Sequence, residues 1–269
     1  MELSIIVANY RNPEMLKVCL DSIIKHAKNI SYELIVADSA TQEDTEMMMR
    51  ENFADMTFFS FKDNVGFQAM VRKGIENSSG KYLLVLNGDI IVTENSIYEM
   101  LRFIQSDSSI GMVGPKLLNF NGSLQPSCFR FYKPWTIVYR RTIVGKLPFA
   151  KKHLDWFLMN DYDHQTPKEV DWLMGSSLMI TREAVEKVGL MDPQYFMYME
   201  DVDWCRRFWE NGFKVFYYPL VSMHHYHGKG SAKGGAIRSL LFNKMTWIHI
   251  SSGLKYFRKF WGKDLPIHG

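Results

Sequence analysis

The chain has 269 residues, 46% hydrophobic and 23% charged, values that provide for a sizeable core and exclude wholesale disorder. Its three cysteines, Cys19, Cys128 and Cys205, stand far apart with no CxxC spacing, so neither a disulfide framework nor a zinc site is indicated. Net charge is only +3, but residues 228–269 carry +7 and residues 1–227 carry −4, an asymmetry that directs the tail toward something anionic.

Leu3 to Ala8 is an apolar run of strand length closed by Asn9-Tyr10-Arg11-Asn12-Pro13, with Asn12 as cap and Pro13 in the first turn of a helix to about His26. Tyr32 to Ala37 is a second strand ending at Asp38, and an acidic helix follows from Thr41. Met56 to Phe61 is a third strand, and Asn64-Val65-Gly66-Phe67 opens the next helix. Tyr82 to Leu86 reads as a strand buried on both faces, delivering Asn87-Gly88-Asp89 to its tip. A helix from about Glu94 to Gln105 follows. Strands alternating with helices of 10 to 15 residues predict an α/β protein with a mostly parallel sheet. Right-handed crossovers bring Asn9, Asp38, Asn64 and Asp89 to one edge, where ligands of such sheets bind. Asp89 is the candidate for a divalent cation, since hard cations take oxygen ligands; the alternative is a surface aspartate in a tight turn.

Residues 120–170 break the alternation and are rich in aromatic and basic side chains. They read as an insertion over the site edge, either a flap that binds an acceptor or a solvated basic loop packed by its aromatics. Order resumes at Asp171-Trp172-Leu173, then comes a short strand and a helix capped by Thr181. Tyr198-Met199-Glu200-Asp201-Val202-Asp203 places three acids in four positions at a helix start. Lys214 to Tyr218 is a strand ended by Pro219, and His224-His225-Tyr226-His227 suggests a metal ligand or proton shuttle before a glycine-rich stretch. In the tail, Ile237, Leu240, Leu241, Met245 and Ile248 fall at helical spacing, and aromatics then interleave with Lys255, Arg258, Lys259 and Lys263. That pattern suits a helix in a membrane interface, or else one folded onto the domain or forming a dimer. No apolar run reaches the ~18 to 20 residues of a membrane span, and no leader precedes the first strand, so the expected compartment is the cytosol.

Taken in order, Ser4-Ile5-Ile6-Val7-Ala8-Asn9-Tyr10, Glu33 to Asp38, Asn64-Val65-Gly66-Phe67, Leu86-Asn87-Gly88-Asp89 and Tyr198 to Asp203 resemble the family 2 glycosyltransferases of the GT-A fold, and within them the rhamnosyltransferase-like branch of bacterial surface polysaccharide synthesis. The resemblance covers roughly residues 2–232. It implies a GT-A domain over residues 1–234 with basic amphipathic helices over 235–269, and inverting transfer from a nucleotide diphosphate sugar. Asn9, Asp38, Asn64, Gly66 and Asn87 would line the nucleotide pocket. Asp89, with His225 as a second ligand, would hold Mg²⁺ or Mn²⁺, and Asp201, or failing it Glu200, would be the catalytic base. Asp171 and Trp172 lie on the acceptor side, Trp172 either stacking on a sugar or simply buried. The expected acceptor is a saccharide on a polyprenyl diphosphate lipid at the cytosolic membrane face, with no nucleic acid partner. Arg72, Gly88 and the Ser39-Ala40 pair depart from the family pattern.

The chemistry asks for two separated acidic stations. Negative charge grows on the departing diphosphate while the acceptor hydroxyl must lose a proton, and a single displacement needs no enzyme nucleophile. A nucleotide-sugar-binding protein without turnover is the alternative, which intact Asp89 and Asp201 oppose. A nucleotidyltransferase would carry a glycine-rich phosphate loop after the first strand, and Asn9 to Pro13 is not one.

Overall fold

The computed structural model describes residues 1–28, 30–226 and 244–266. His227 and the glycine-rich stretch after it, together with Ile237, Leu240 and Leu241, lie outside them. The first half builds β1 (Leu3–Tyr10), α1 (Pro13–His26), β2 (Tyr32–Ser39), α2 (Glu43–Asn52), β3 (Thr57–Phe61), α3 (Phe67–Glu76), β4 (Tyr82–Asn87), β5 (Ile90–Ile91), α4 (Ser96–Gln105) and β6 (Ile110–Leu118). The insertion contributes β7 (Leu124–Gln125), β8 (Cys128–Phe129), α5 (Pro134–Arg141), a 3-10 turn over Ile143–Lys146, α6 (Pro148–Phe157) and β9 (Lys168–Glu169). Then come β10 (Trp172–Leu173), β11 (Ser177–Thr181), α7 (Arg182–Val188), α8 (Glu200–Glu210), β12 (Lys214–His225) and α9 (Lys244–Lys259).

The main sheet runs β3-β2-β1-β4-β11-β6-β12-β5. Neighbours are parallel from β3 to β4 and between β6 and β12, while β11 enters antiparallel to both β4 and β6. Leu3, Ile5 and Val7 face one apolar layer, with α1 and α4, and Ile6 faces the other, with α3, α8 and the insertion. Strands covered on both faces need such near-continuous apolar runs. The parallel register pairs Asn9 with Asp38 and Ala8 with Asn87, so three strands end level at one edge.

Two sequence expectations are corrected here. Pro219 does not end the strand: β12 continues to His225 across a register shift between Tyr218 and Ser222, where the missing N–H of proline costs no ladder bond. Nor is the insertion a loop, though its aromatics pack it as expected. Phe129, Phe131, Tyr132 and Phe157 are buried in the same apolar cluster as the sheet, and α5 and α6 are formed helices.

Candidate active site

At the level strand edge lies a cavity of about 280 Å³, lined by Asn9, Asn64, Gly66, Asn87 and Asp89 together with Tyr10, Asn12, Phe67, Met70 and Met197. Five of the predicted site residues therefore share one wall. Asp38 stands behind them: it is fully buried, and its Oδ1 accepts from Asn9 Nδ2 at 2.7 Å. Burial raises the Asp38 carboxyl above the usual carboxylate range, against the hydrogen bond from Asn9, and its Oδ2 has no hydrogen-bond partner among the described residues. Asn64 Oδ1 accepts from Gly66 N at 3.1 Å and from Ser39 Oγ at 3.3 Å, fixing the turn into α3.

Two glycines make this edge possible. Gly66 has φ of 80°, and a Cβ there would come within 2.4 Å of the Phe196 carbonyl oxygen. At Gly88 a Cβ would meet Asn9 Oδ1 at 2.6 Å, which explains a glycine beside the strand-end carboxylate. Arg72 is not on the cavity wall; it reaches Met191 O at 3.4 Å and Glu76.

Extended β12 carries His225 across to β5, in register with Ile90, and His225 Nε2 lies 3.2 Å from Asp89 Oδ1. On the other side of the ring, Nδ1 is 2.8 Å from Gln125 Oε1. An amide oxygen accepts only, so Nδ1 donates and Nε2 is the ring nitrogen that faces the carboxylate. The pair offers a cation one nitrogen and one oxygen donor side by side. Successive strand residues point to opposite faces, so His224 does not join His225; its ring lies 6.2 Å from that of Phe120. Among the described residues no three acid, histidine or cysteine side chains gather as a metal cluster, and of the two described histidines of the predicted cluster His225 is the one that meets Asp89.

Glu200 and Asp201 open α8 next to this wall but not on it. A Cβ on Gly175 would touch the Phe67 ring at 3.0 Å and Asp201 Cβ at 3.6 Å, so Asp201 and the wall residue Phe67 both lie against Gly175. Asp201 Oδ2 accepts from Gly175 N at 3.1 Å and Oδ1 from Val202 N at 2.9 Å, whereas Glu200 Oε2 is buried without a hydrogen-bond partner among the described residues. Burial first, and for Glu200 also the Asp201 charge, raises both carboxyls, so the two compete for one negative charge. The backbone donors make Asp201 the one that ionises first.

Their loop is strained. Tyr198 and Met199, neither a glycine, have φ of 67° and 69°. Remote segments hold them there. The Tyr198 ring stacks on His249 of α9 at 4.7 Å between centroids, and Arg141 Nε donates to His249 Nδ1 at 3.0 Å. Ser252 Oγ donates to Met197 O at 2.8 Å, and Lys255 Nζ to Gln194 O at 2.8 Å. Lys259 Nζ lies 2.6 Å from both Asp192 Oδ2 and Asp203 Oδ1. Of the alternatives for the tail, α9 takes the one folded onto the domain; which residues it backs had no sign in the sequence beyond a positive tail on a negative body.

Trp172 is buried: its ring stacks on Phe129 at 4.3 Å, and its indole N–H donates to Arg130 O at 2.9 Å. It belongs to the core, as the plainer of the two expectations had it. Asp171 Oδ2 accepts from Phe131 N at 2.6 Å, tying the insertion to β10.

Residues 2–240 match the family model described as glycosyltransferase-like family 2. A Mycobacterium tuberculosis N-acetylglucosaminyl-diphospho-decaprenol L-rhamnosyltransferase is 25% identical over 81% of this chain and 74% of its own length. Rhamnosyltransferase WbbL of Escherichia coli is 22% identical over 95% of this chain and 92% of its own. Among solved structures, GalNAc-T7 with UDP, GalNAc and Mn²⁺ superposes with a TM-score of 0.64 at 18% identity, over 87% of this chain and 44% of that one. Staphylococcus aureus TarS does so with a TM-score of 0.58 at 12% identity, over 84% and 37%. The chain thus spans less than half the length of either solved protein, and what they share with it is the GT-A fold. With that fold and the family match over residues 2–240, the chain belongs to the family 2 glycosyltransferases.

Proposed function

We propose that the protein is an inverting, divalent-cation-assisted glycosyltransferase that moves rhamnose or a related sugar from a nucleotide diphosphate to a saccharide on a polyprenyl diphosphate lipid at the cytosolic membrane face. The observation that carries this reading is the pairing of two acidic stations about one cavity edge. Asp89 stands on the wall with His225 beside it, and the raised carboxyl pair of Glu200 and Asp201 lies off the wall, with Asp201 and the wall residue Phe67 both against Gly175. The names of the rhamnosyltransferase relatives support the sugar and the lipid carrier.

The nucleoside end belongs with Asn9, Asn64 and Asp38, whose buried Oδ2, without a hydrogen-bond partner among the described residues, suits an N–H or O–H donor. The N-terminus of α3 has no side-chain cap, and with Gly66 and Phe67 on the cavity wall it favours the diphosphate charge there. Asp89 and His225 fit a Mg²⁺ or Mn²⁺ ion, one oxygen and one nitrogen donor facing each other; when bound, such an ion neutralises charge on the departing diphosphate. Asp201 accepts the acceptor hydroxyl proton while that oxygen bonds to the anomeric carbon. The carbon–diphosphate bond breaks on the opposite face and its electron pair leaves with the nucleoside diphosphate.

The test is transfer from a panel of nucleotide sugars to a short-chain prenyl diphosphate saccharide, with and without added Mn²⁺. Product with inverted anomeric configuration by NMR, formed only with the cation, is expected. Donor binding without any product would favour the binding-protein alternative.

A further inference from the structure

We propose that α5, the 3-10 turn and α6 form the surface by which the protein lies on an anionic lipid bilayer. The tail is the obvious candidate from its charge, but Lys255 and Lys259 are spent on Gln194, Asp192 and Asp203 inside the fold. The hairpin instead has six lysines and arginines and no acid over residues 133–154. Lys146, Lys151 and Lys152 are exposed and make no ion pair among the described residues. The same hairpin exposes large apolar side chains: Ile143 is 61% exposed, Phe149 59%, Val138 48% and Trp135 46%.

Single exposed apolar residues are common on soluble proteins, whereas several of them interspersed with exposed cations on one hairpin are the composition of an interfacial segment. The underside is fully built. Ile137 and Phe157 are buried in the core, Thr136 Oγ1 meets His153 Nε2 at 2.7 Å, and Arg140 donates to the Tyr132 hydroxyl and stands 5.3 Å over the Phe157 ring. At the turn, a Cβ on Gly145 would overlap the Tyr139 carbonyl oxygen, so the bend is tight. The same hairpin supplies Arg140, whose charge acts on Asp201, and Arg141, which holds His249. Docking through it brings the headgroup layer to the base side of the site. What docking achieves rests on the lipid-linked acceptor proposed above; the docking itself does not.

The experiment is co-sedimentation of the full chain with phosphatidylcholine vesicles with and without phosphatidylglycerol. Binding is expected only with the anionic lipid. Ile143→Asp with Phe149→Asp, and separately Lys146→Glu with Lys151→Glu and Lys152→Glu, should each lower partitioning at least about tenfold, with thermal unfolding unchanged. Transfer to a water-soluble acceptor should stay within about twofold in these variants, because neither set touches the cavity. Failure of the unaltered chain to bind vesicles would overturn the proposal. So would undiminished binding by both variants, or loss of binding only in a Trp247→Asp, Trp261→Asp variant of α9. Equal affinity for RNA and for anionic vesicles would likewise reject it. Vesicle binding without transfer from any donor leaves docking intact and removes the enzymatic reading, so the two fail separately.

Discussion

The two sides of the site are built on different principles. On the donor side, the functional residues stand at the close of a strand or the opening of a helix: Asn9 and Asp38 lie one residue before the ends of β1 and β2, Asn87 ends β4, and Gly66 precedes α3. Parallel register alone brings them level. On the base side, Glu200 and Asp201 begin a helix whose entry is strained at Tyr198 and Met199, and that entry is held by side chains from α5 and α9. The donor side is a consequence of topology; the base side is a consequence of packing between segments far apart in the chain. It follows that damage to the donor side should stay local, whereas the base side should respond to substitutions that never meet substrate.

The sharpest way to break the comparison is to remove the base itself. Asp201→Asn should lower transfer by about a thousandfold, the range of a lost general base, while donor affinity by calorimetry stays within about twofold. Weakened donor binding would mean that the base side reaches into the nucleotide cavity. Next in size, Asp89→Ala should weaken Mn²⁺-dependent donor binding by about a hundredfold and leave cation-independent binding unchanged. Equal affinity in calorimetry with Mn²⁺ present would remove Asp89 from the cation's coordination.

That asymmetry also decides what could be read from the residues. The strand ends were legible because period, length and turn residues are local signals, and Asn9, Asp38, Asn64 and Asp89 each announce the end of an apolar run or the opening of a helix. The join of His225 to Asp89 was only half legible: Pro219 looked like a terminator until the register shift carried β12 past it. Trp172 carried no local sign of its partners, since a stacking platform and a core aromatic have the same sequence. Lys259 was hidden for a related reason. Its charge was visible as part of the basic tail, but its partners Asp192 and Asp203 lie more than fifty residues upstream, and charge alone does not say whether its counter-ion is inside or outside the chain.

Between the two sides stands the Gly66–Phe196 contact, and substituting it tests whether they are mechanically joined. Gly66→Ala places a Cβ at positive φ and against the Phe196 carbonyl, so it should destabilise by about 2 kcal/mol in urea and raise the donor KM as well as lower kcat. Lys259→Met should cost less, about 1 to 2 kcal/mol, because fully buried Asp203 keeps Arg207 at 2.7 Å. Its kinetic signature should differ from that of Gly66→Ala: lower kcat at unchanged donor KM. A fall in stability with kcat intact would make Lys259 a structural residue only.

The smallest expected effect bears most directly on how the base is tuned. Burial raises the Glu200 and Asp201 carboxyls together, with the Asp201 charge adding to the rise at Glu200, and the base works only when ionised, so activity should be present above the raised Asp201 pKa and be lost as pH falls through it. Glu200→Gln removes the second ionisable group but keeps the shape. Asp201 ionises while Glu200 is still protonated, so the acid limb of kcat/KM should stay where it is, with the plateau rate retained. A limb that moves to lower pH would show that Glu200 carries charge where Asp201 titrates, and a limb that vanishes with all transfer would make Glu200 the proton acceptor. An unmoved limb with full plateau activity is the outcome that an Asp201 base requires, because Glu200 is then neutral where the base works and takes no proton from the acceptor.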